Sequence, residues 1–159
     1  MTSIDFYFNA EDRLQVACRL AGKALSRKKR MLVYAPEAEL ASRIDRMLWT
    51  WPAIGFVPHC PAHDALAPDT PVLIGGEEVW EIQPKESGSN LQGCEVILNL
   101  SASCPPHFER FERLLEVVGS GDEERQAGRE RYRFYQERGY NIAHHDLAKS
   151  AERAGGQHE

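Results

Sequence analysis

The chain has 159 residues, 42% of them hydrophobic and 27% charged, with a formal net charge of −5 at pH 7. This length favours one domain whose core is large enough to need no disulfide or metal, and the lack of an apolar run of roughly 20 residues argues against a membrane protein. The opening MTSIDFYFNAED lacks the basic start and apolar segment of a secretory signal, so we expect a cytoplasmic protein.

The first third of the chain alternates strand-like and helix-like patterns. IDFYF at 4–8 predicts a strand, Asn9 a helix N-cap, and the apolar residues recurring over 14–25 a helix. MLVYA at 31–35 is a continuous apolar run, typical of a strand that is buried on both faces. After Pro36, apolar positions between 40 and 48 predict a second helix.

The same alternation continues towards the C-terminus. PVLIG at 71–75 and EVILNLS at 95–101 predict two more strands, and EVV at 116–118 predicts a weak fifth after a helix over 108–115. A final helix is expected from about Asp122 to Gly139, because glycine commonly follows the last turn of a helix.

This order of elements predicts an α/β fold. Strands separated by crossover-sized helices favour a mainly parallel sheet with helices on both faces, Rossmann-like but without a nucleotide site. We expect one domain over residues 1–142. The residues after 142 lose the apolar pattern, which predicts a flexible C-terminal tail over 143–159.

The motifs of common α/β enzymes are missing from the sequence. The turn after the first strand, FNAED, has no glycine and carries two carboxylates, and Gly75-Gly76 leads into Glu77 and Glu78 rather than a lysine and a Ser/Thr. There is no GxSxG elbow. We therefore expect no cofactor and no catalysis. A small α/β hydrolase or nucleotide-dependent enzyme remains the alternative, because catalytic groups can assemble from distant positions.

The cysteines at 18, 60, 94 and 104 form no CxxC pair, and a reducing compartment favours free thiols. His59, Cys60 and His63 bring metal-ligand types into one loop. A structural zinc site needs a second, well-spaced pair of ligands, which the sequence lacks. We therefore expect no metal.

The segment RERYRFYQERGYN at 129–141 gathers arginines and aromatic side chains in an acidic chain. On a helix, Arg125, Arg129, Tyr132 and Arg133 fall on one stripe. Guanidinium groups beside a tyrosine ring suit a carboxylate carried by an apolar group, such as a free peptide C-terminus. A charged surface helix whose aromatics face the core is an equally good alternative. Strong nucleic-acid binding is disfavoured by the net charge of −5.

Several motifs, in order, resemble a known family. The FYF strand, the helix over 14–25 and MLVYA are followed by MLWTWPAIGFVPH at 47–59, PVLI at 71–74, EVILNLS and RERYRFYQERGYNI at 129–142. Over about residues 4–142 the chain resembles the chi subunits of bacterial DNA polymerase III, which are accessory proteins of the clamp loader. The resemblance implies a non-enzymatic replisome adaptor with two protein-binding surfaces.

The first implied surface binds the psi subunit, which links chi to the clamp loader. Trp49 and Phe56 match the family's positions for psi contact, with Val57 and Pro58 as neighbours, and a helicase is expected to compete for the same surface. Apart from the resemblance, large aromatics such as Trp49 and Phe56 would more often be core residues.

The second implied surface binds the acidic C-terminal peptide of single-stranded DNA-binding protein (SSB), which ends in an apolar residue and a free carboxylate. Arg129, Tyr132 and Arg133 match the family's tail-binding positions. Only GSG separates Val118 from Asp122, where a family relative carries an apolar segment that helps to wall the tail pocket.

Overall fold

The computed structural model describes residues 2–50, 57–80 and 93–148. Its strands are β1 (Ser3–Ala10), β2 (Arg30–Tyr34), β3 (His59–Pro61), β4 (Val72–Gly75), β5 (Cys94–Asn99), β6 (Arg113–Gly119) and β7 (Ile142–Asp146). Its α-helices are α1 (Arg13–Ser26), α2 (Ala38–Thr50) and α3 (Asp122–Glu137). Short 3₁₀ turns occur at Ala67–Asp69, Glu77–Trp80 and Phe108–Arg110.

The described strands form one seven-stranded sheet in the order β3-β4-β2-β5-β6-β1-β7. Every pairing is parallel. Parallel neighbours require crossover connections, and the helices between the strands supply several of them. The predicted α/β class, with a parallel Rossmann-like sheet, is therefore confirmed.

Inner strands alternate their side chains between two cores. In β2, Met31 and Val33 pack in a first core with α1 and α2, while Leu32 and Tyr34 pack in a second core that includes Tyr135 of α3. This two-residue period is what a strand covered on both faces requires. Helices on both faces of the sheet, as predicted, are confirmed.

Two local predictions are wrong. The N-cap of α1 is Asp12, whose carboxylate accepts hydrogen bonds from the backbone N–H groups of Leu14 (3.0 Å) and Gln15 (3.2 Å), whereas Asn9 belongs to β1. The expected helix over 108–115 is a single 3₁₀ turn followed by β6. The run LLEVV places successive side chains on opposite, covered faces of the sheet, which disguises its strand period.

The sequence predicts neither of the two edge strands, β3 and β7. β3 has three residues and follows prolines, and β7 (IAHHD) is polar because it pairs only with β1 and covers little of either core. β7 extends the sheet to Asp146, four residues past the predicted domain boundary after residue 142. Residues 149–159 of the predicted tail lie outside the described residues.

A fully buried carboxylate, that of Glu116 in β6, joins the sheet to α3. Arg131 Nε donates to Glu116 Oε1 at 2.9 Å, and the Tyr135 hydroxyl donates to Oε2 at 2.6 Å. Asn99 Nδ2 lies 3.1 Å from both carboxylate oxygens. Burial raises the pKa of the Glu116 carboxyl, and the positive charge of Arg131 opposes that rise. Every polar atom of the carboxylate is thus satisfied without water.

The same helix also approaches the sheet through a glycine. A Cβ built on Gly128 would lie 2.8 Å from Cγ1 of Val118, closer than carbon atoms pack, so this position leaves room for no side chain. Gly128, Arg131 and Tyr135 form the buried face of α3 at i, i+3 and i+7 spacing. Together they fix the distance of α3 from the sheet and the rotation of the helix about its own axis.

We expect Arg131→Ala to lower the free energy of unfolding by about 3 to 5 kcal/mol, because it leaves the Glu116 carboxylate buried without its cation. Arg133→Ala, two residues along and exposed, is the matched control and should cost less than about 0.5 kcal/mol. Urea unfolding measures both.

If Arg131→Ala does not fold, Tyr135→Phe is the second variant to measure. It removes a single hydrogen bond to Glu116 and should lower the free energy of unfolding by about 1 to 3 kcal/mol. Equal stability of Arg131→Ala and Arg133→Ala would show that the buried carboxylate does not hold α3.

Candidate functional site

A cavity of about 490 Å³ lies between α3 and the β1–β7 side of the sheet. We call it the α3-face cavity. Phe6, Phe8 and Val118 give it an apolar floor, and Arg125 and Arg129 stand one helical turn apart on its α3 wall. An apolar floor beside two guanidinium groups favours a ligand that is both apolar and anionic.

The rotation of α3 brings these groups into the cavity. Arg129 follows Gly128 and Tyr132 follows Arg131, so each lies about 100° around the helix from a buried neighbour. Burying Gly128 and Arg131 therefore turns Arg129 and Tyr132 towards the cavity rather than into the core.

Tyr132 is held in place on two sides. Its ring packs edge-on against Phe6, with 5.4 Å between ring centroids, and its hydroxyl lies 2.8 Å from Nε2 of His144 in β7. The hydroxyl and the imidazole thus form one polar edge of the cavity, fixed before any ligand arrives. Such preorganisation lowers the entropic cost of binding.

The two arginines differ in their partners. Arg125 Nη2 donates to Asn9 Oδ1 at 3.3 Å, and Asn9 Nδ2 in turn donates to Asp146 Oδ1 at 2.9 Å. Arg129 is exposed and makes no salt bridge within the described part of the chain. Its guanidinium is therefore available for a bidentate contact with a carboxylate.

The structure brings two of the three predicted tail-binding residues together. Arg129 and Tyr132 both line the α3-face cavity, whereas Arg133 is exposed and is not among its lining residues. Sequence reasoning missed the floor and His144. Phe6 and Phe8 alternate with Tyr7 along β1, a pattern that marks one face of a strand but does not say which helix covers it.

A second surface surrounds Trp49, which lies in the last turn of α2 and is 59% exposed. Of the other positions predicted for this surface, Pro58 is half-buried, Val57 is fully buried in the first core, and Phe56 lies outside the described residues. Of the described residues predicted here, Trp49 is therefore the exposed aromatic one, whereas Val57 belongs to the core.

His59 fixes Trp49 from beneath. The buried imidazole donates from Nδ1 to the Val57 carbonyl at 2.7 Å, its Nε2 lies 3.2 Å from Asp45 Oδ1, and its ring meets the Trp49 indole with 4.8 Å between centroids. Since Asp45 and Trp49 are one turn apart on α2, this histidine ties the start of β3 to the exposed end of the helix.

The cysteines at 18, 60, 94 and 104 are free thiols, as predicted, and burial raises the pKa of Cys18 and of Cys94 to about 11. Among residues 2–50, 57–80 and 93–148, no group of three or more His, Cys, Asp or Glu side chains is arranged to hold a metal ion. No helix in the same ranges has the length and apolar content to span a membrane.

Comparison with known proteins gives the family. The family model of the DNA polymerase III chi subunit, HolC, matches residues 1–143. The DNA polymerase III subunit chi of Pseudomonas aeruginosa is 32% identical over 153 residues, which cover 94% of this chain and 99% of the relative. That of Escherichia coli is 29% identical over 128 residues, covering 80% and 81%. That of Haemophilus influenzae is 27% identical over 129 residues, covering 81% and 83%.

Because the family model and these relatives match along most of the chain, the chain belongs to the family of DNA polymerase III chi subunits, accessory proteins of DNA replication.

Proposed function

We propose that this chi subunit is a non-catalytic adaptor that joins SSB to the clamp loader. The α3-face cavity binds the C-terminal peptide of SSB, and the surface around Trp49 binds the psi subunit. The observation that carries the proposal is the placement of Arg129 and Tyr132 over an apolar floor.

The chemistry of the α3-face cavity matches the end of an acidic peptide. A terminal carboxylate can accept two parallel hydrogen bonds from Arg129, while the last apolar side chain packs on Phe8 and Val118. Arg125 lies one turn earlier on α3 and suits a carboxylate further back along the peptide. Arg133 is further from the floor, and we assign it a weaker, peripheral contact.

The Trp49 surface has the character of an interface anchor. Large aromatics that remain exposed in an isolated chain commonly carry much of the binding energy of a protein interface. The proposed psi contact combines Trp49 with Phe56 and Pro58, and a helicase that uses the same surface would compete with psi.

The two sites lie at opposite ends of the sheet. Trp49 adjoins β3, the strand at one edge, whereas the α3-face cavity adjoins β1 and β7 at the other. Five strand spacings of roughly 4.8 Å separate β3 from β1, about 24 Å in all. Both partners can therefore bind at once, as an adaptor requires.

Direct nucleic-acid binding is weak in this proposal. The chain carries a net charge of −5, and the arginines of α3 are accompanied by Asp122, Glu123 and Glu124 in its first turn. A broad phosphate-binding surface needs many cations without such compensation.

Arg129→Ala should weaken binding of an SSB C-terminal peptide by roughly 10-fold or more, because a charge-assisted hydrogen bond contributes about 1.5 to 3 kcal/mol. Tyr132→Ala should also weaken it, whereas Arg133→Ala should change affinity by less than about 3-fold, or 0.7 kcal/mol. Isothermal titration calorimetry measures the three variants. Unchanged affinity of folded Arg129→Ala would place the tail elsewhere.

Amidating the C-terminus of the same peptide should reproduce the loss seen with Arg129→Ala, because it removes the carboxylate that the arginine binds. In the variant, amidation should then have little further effect. Calorimetry of the wild type and of Arg129→Ala, each with the free-acid and the amidated peptide, measures the four affinities of this double-mutant cycle. Equal affinities of the wild type for both peptides would remove the terminal carboxylate from the proposal.

Trp49→Ala should weaken binding of the psi subunit by about 2 kcal/mol or more, roughly 30-fold, since it removes an exposed aromatic anchor. Phe56→Ala should act in the same direction. Affinity for the SSB peptide serves as the internal control and should stay within about 2-fold, or 0.4 kcal/mol, of the wild type. A folded Trp49→Ala variant that binds psi normally would refute this surface.

A further inference from the structure

A second cavity, of about 370 Å³, lies on the other face of the sheet beneath the C-terminal half of α1. We call it the α1-face cavity. Its walls are the aliphatic side chains of Leu20, Ala24, Val96 and Leu115. Nothing in the proposed binding of psi or SSB uses it.

The α1-face cavity repeats the composition of the α3-face cavity. Each has an aromatic residue from β1, an apolar residue from β6, a histidine from β7 and two cations four residues apart, on the covering helix or at its C-cap. In the α1-face cavity these residues are Tyr7, Leu115, His145, Lys23 and Arg27.

The repetition follows from the alternation of side chains along the paired strands β1 and β7. Tyr7 pairs with His145 in the register of β1 and β7, and Phe6 pairs with His144. Successive residues of a strand point to opposite faces, so His144 lies in one cavity and His145 in the other. The same edge of the sheet thus builds an apolar and basic site on each face.

The charges of the α1-face cavity leave two cations uncompensated. Arg113 Nη2 binds Asp5 Oδ2 at 2.6 Å, and Lys29 Nζ binds Glu95 Oε2 at 2.7 Å, with Glu112 4.0 Å from the same ammonium. Lys23 and Arg27 have no acidic partner within the described ranges.

The aromatic pair gives the α1-face cavity a fixed polar edge. The rings of Tyr7 and His145 are stacked, with centroids 4.4 Å apart, and His145 Nε2 lies 2.9 Å from Asp5 Oδ1. Burial and the charge of Asp5 raise the pKa of Tyr7, while Arg113 and Arg27 act against that rise. The Tyr7 hydroxyl therefore stays protonated at neutral pH and can donate to an anion.

From this likeness we propose that the α1-face cavity is a second peptide-binding site, for an internal acidic segment that places an apolar side chain between two carboxylates. The apolar side chain packs on Leu20 and Leu115, and the carboxylates pair with Lys23 and Arg27.

A peptide fits the charge distribution better than a phosphate does. The cations lie beside the C-terminal turn of α1, where the negative end of the helix dipole disfavours a compact dianion. Separate carboxylates carry one charge each and pair with their own cations, so they meet less of that repulsion.

The test uses an acetylated and amidated peptide of sequence DDLDD, which has no terminal carboxylate for Arg129. Titration followed by amide ¹H–¹⁵N shifts should perturb the α1-face residues Ala24, Val96 and Leu115. The double variant Lys23→Gln, Arg27→Gln should lower the affinity by roughly 10-fold or more, because it removes both charge-assisted contacts. Arg19→Gln, an exposed α1 position outside the cavity, and Arg129→Ala should both leave the affinity unchanged.

Three results would overturn the proposal. The first is no shift of α1-face residues when the DDLDD peptide is in large excess over the protein, and the second is equal affinity for the wild type and the folded double variant. The third is tighter binding of a nucleoside monophosphate than of the peptide at Lys23 and Arg27, which would make the cavity a phosphate site. Thermal unfolding of the double variant confirms that its fold is retained.

Discussion

The buried carboxylate of Glu116 is the constraint on which the rest of the site depends. It lies on the inner strand β6 and accepts hydrogen bonds from Arg131 and Tyr135 of α3, so any rotation of that helix would leave an unpaired charge in the core. Gly128 lets the helix come close enough for these bonds to form. The arginine-rich segment therefore has two roles. Arg131 anchors the helix to the sheet, and because Arg131 is anchored, Arg129 faces the cavity.

Local charge and net charge act at different ranges in this chain. A net charge of −5 discourages long-range attraction to polyanions, whereas Arg125 and Arg129, beside an apolar floor, attract a carboxylate at contact distance. In the proposed function, the protein thus recognises the end of an acidic peptide without holding nucleic acid. The position of Trp49 at the opposite edge of the sheet would, in the same proposal, keep the psi subunit clear of the SSB peptide.

The central fold could be predicted from the sequence because the inner strands are continuous apolar runs, as in MLVYA, and because α1 and α2 have clear helical periods. The edge strands β3 and β7 could not, since they bury little and carry prolines or histidines. The strand β6 resembled helix because both of its faces are covered.

The candidate site was predictable only in part. The spacing of Arg129 and Tyr132 placed them on one stripe, but the same spacing admitted Arg133, and only the burial of Arg131 and Gly128 decides which residues face the cavity. The floor of Phe6, Phe8 and Val118 comes from strands distant in sequence, and no local pattern identifies it.

A crystal structure of the chain with an acidic peptide that ends in an apolar residue and a free carboxylate tests the central claim most directly. The account predicts that the terminal carboxylate lies about 3 Å from the guanidinium of Arg129, with the last side chain against Phe8 and Val118 and with the bonds from Arg131 and Tyr135 to Glu116 intact. A peptide bound away from Arg129, or an α3 rotated off Glu116 to reach the peptide, would contradict it.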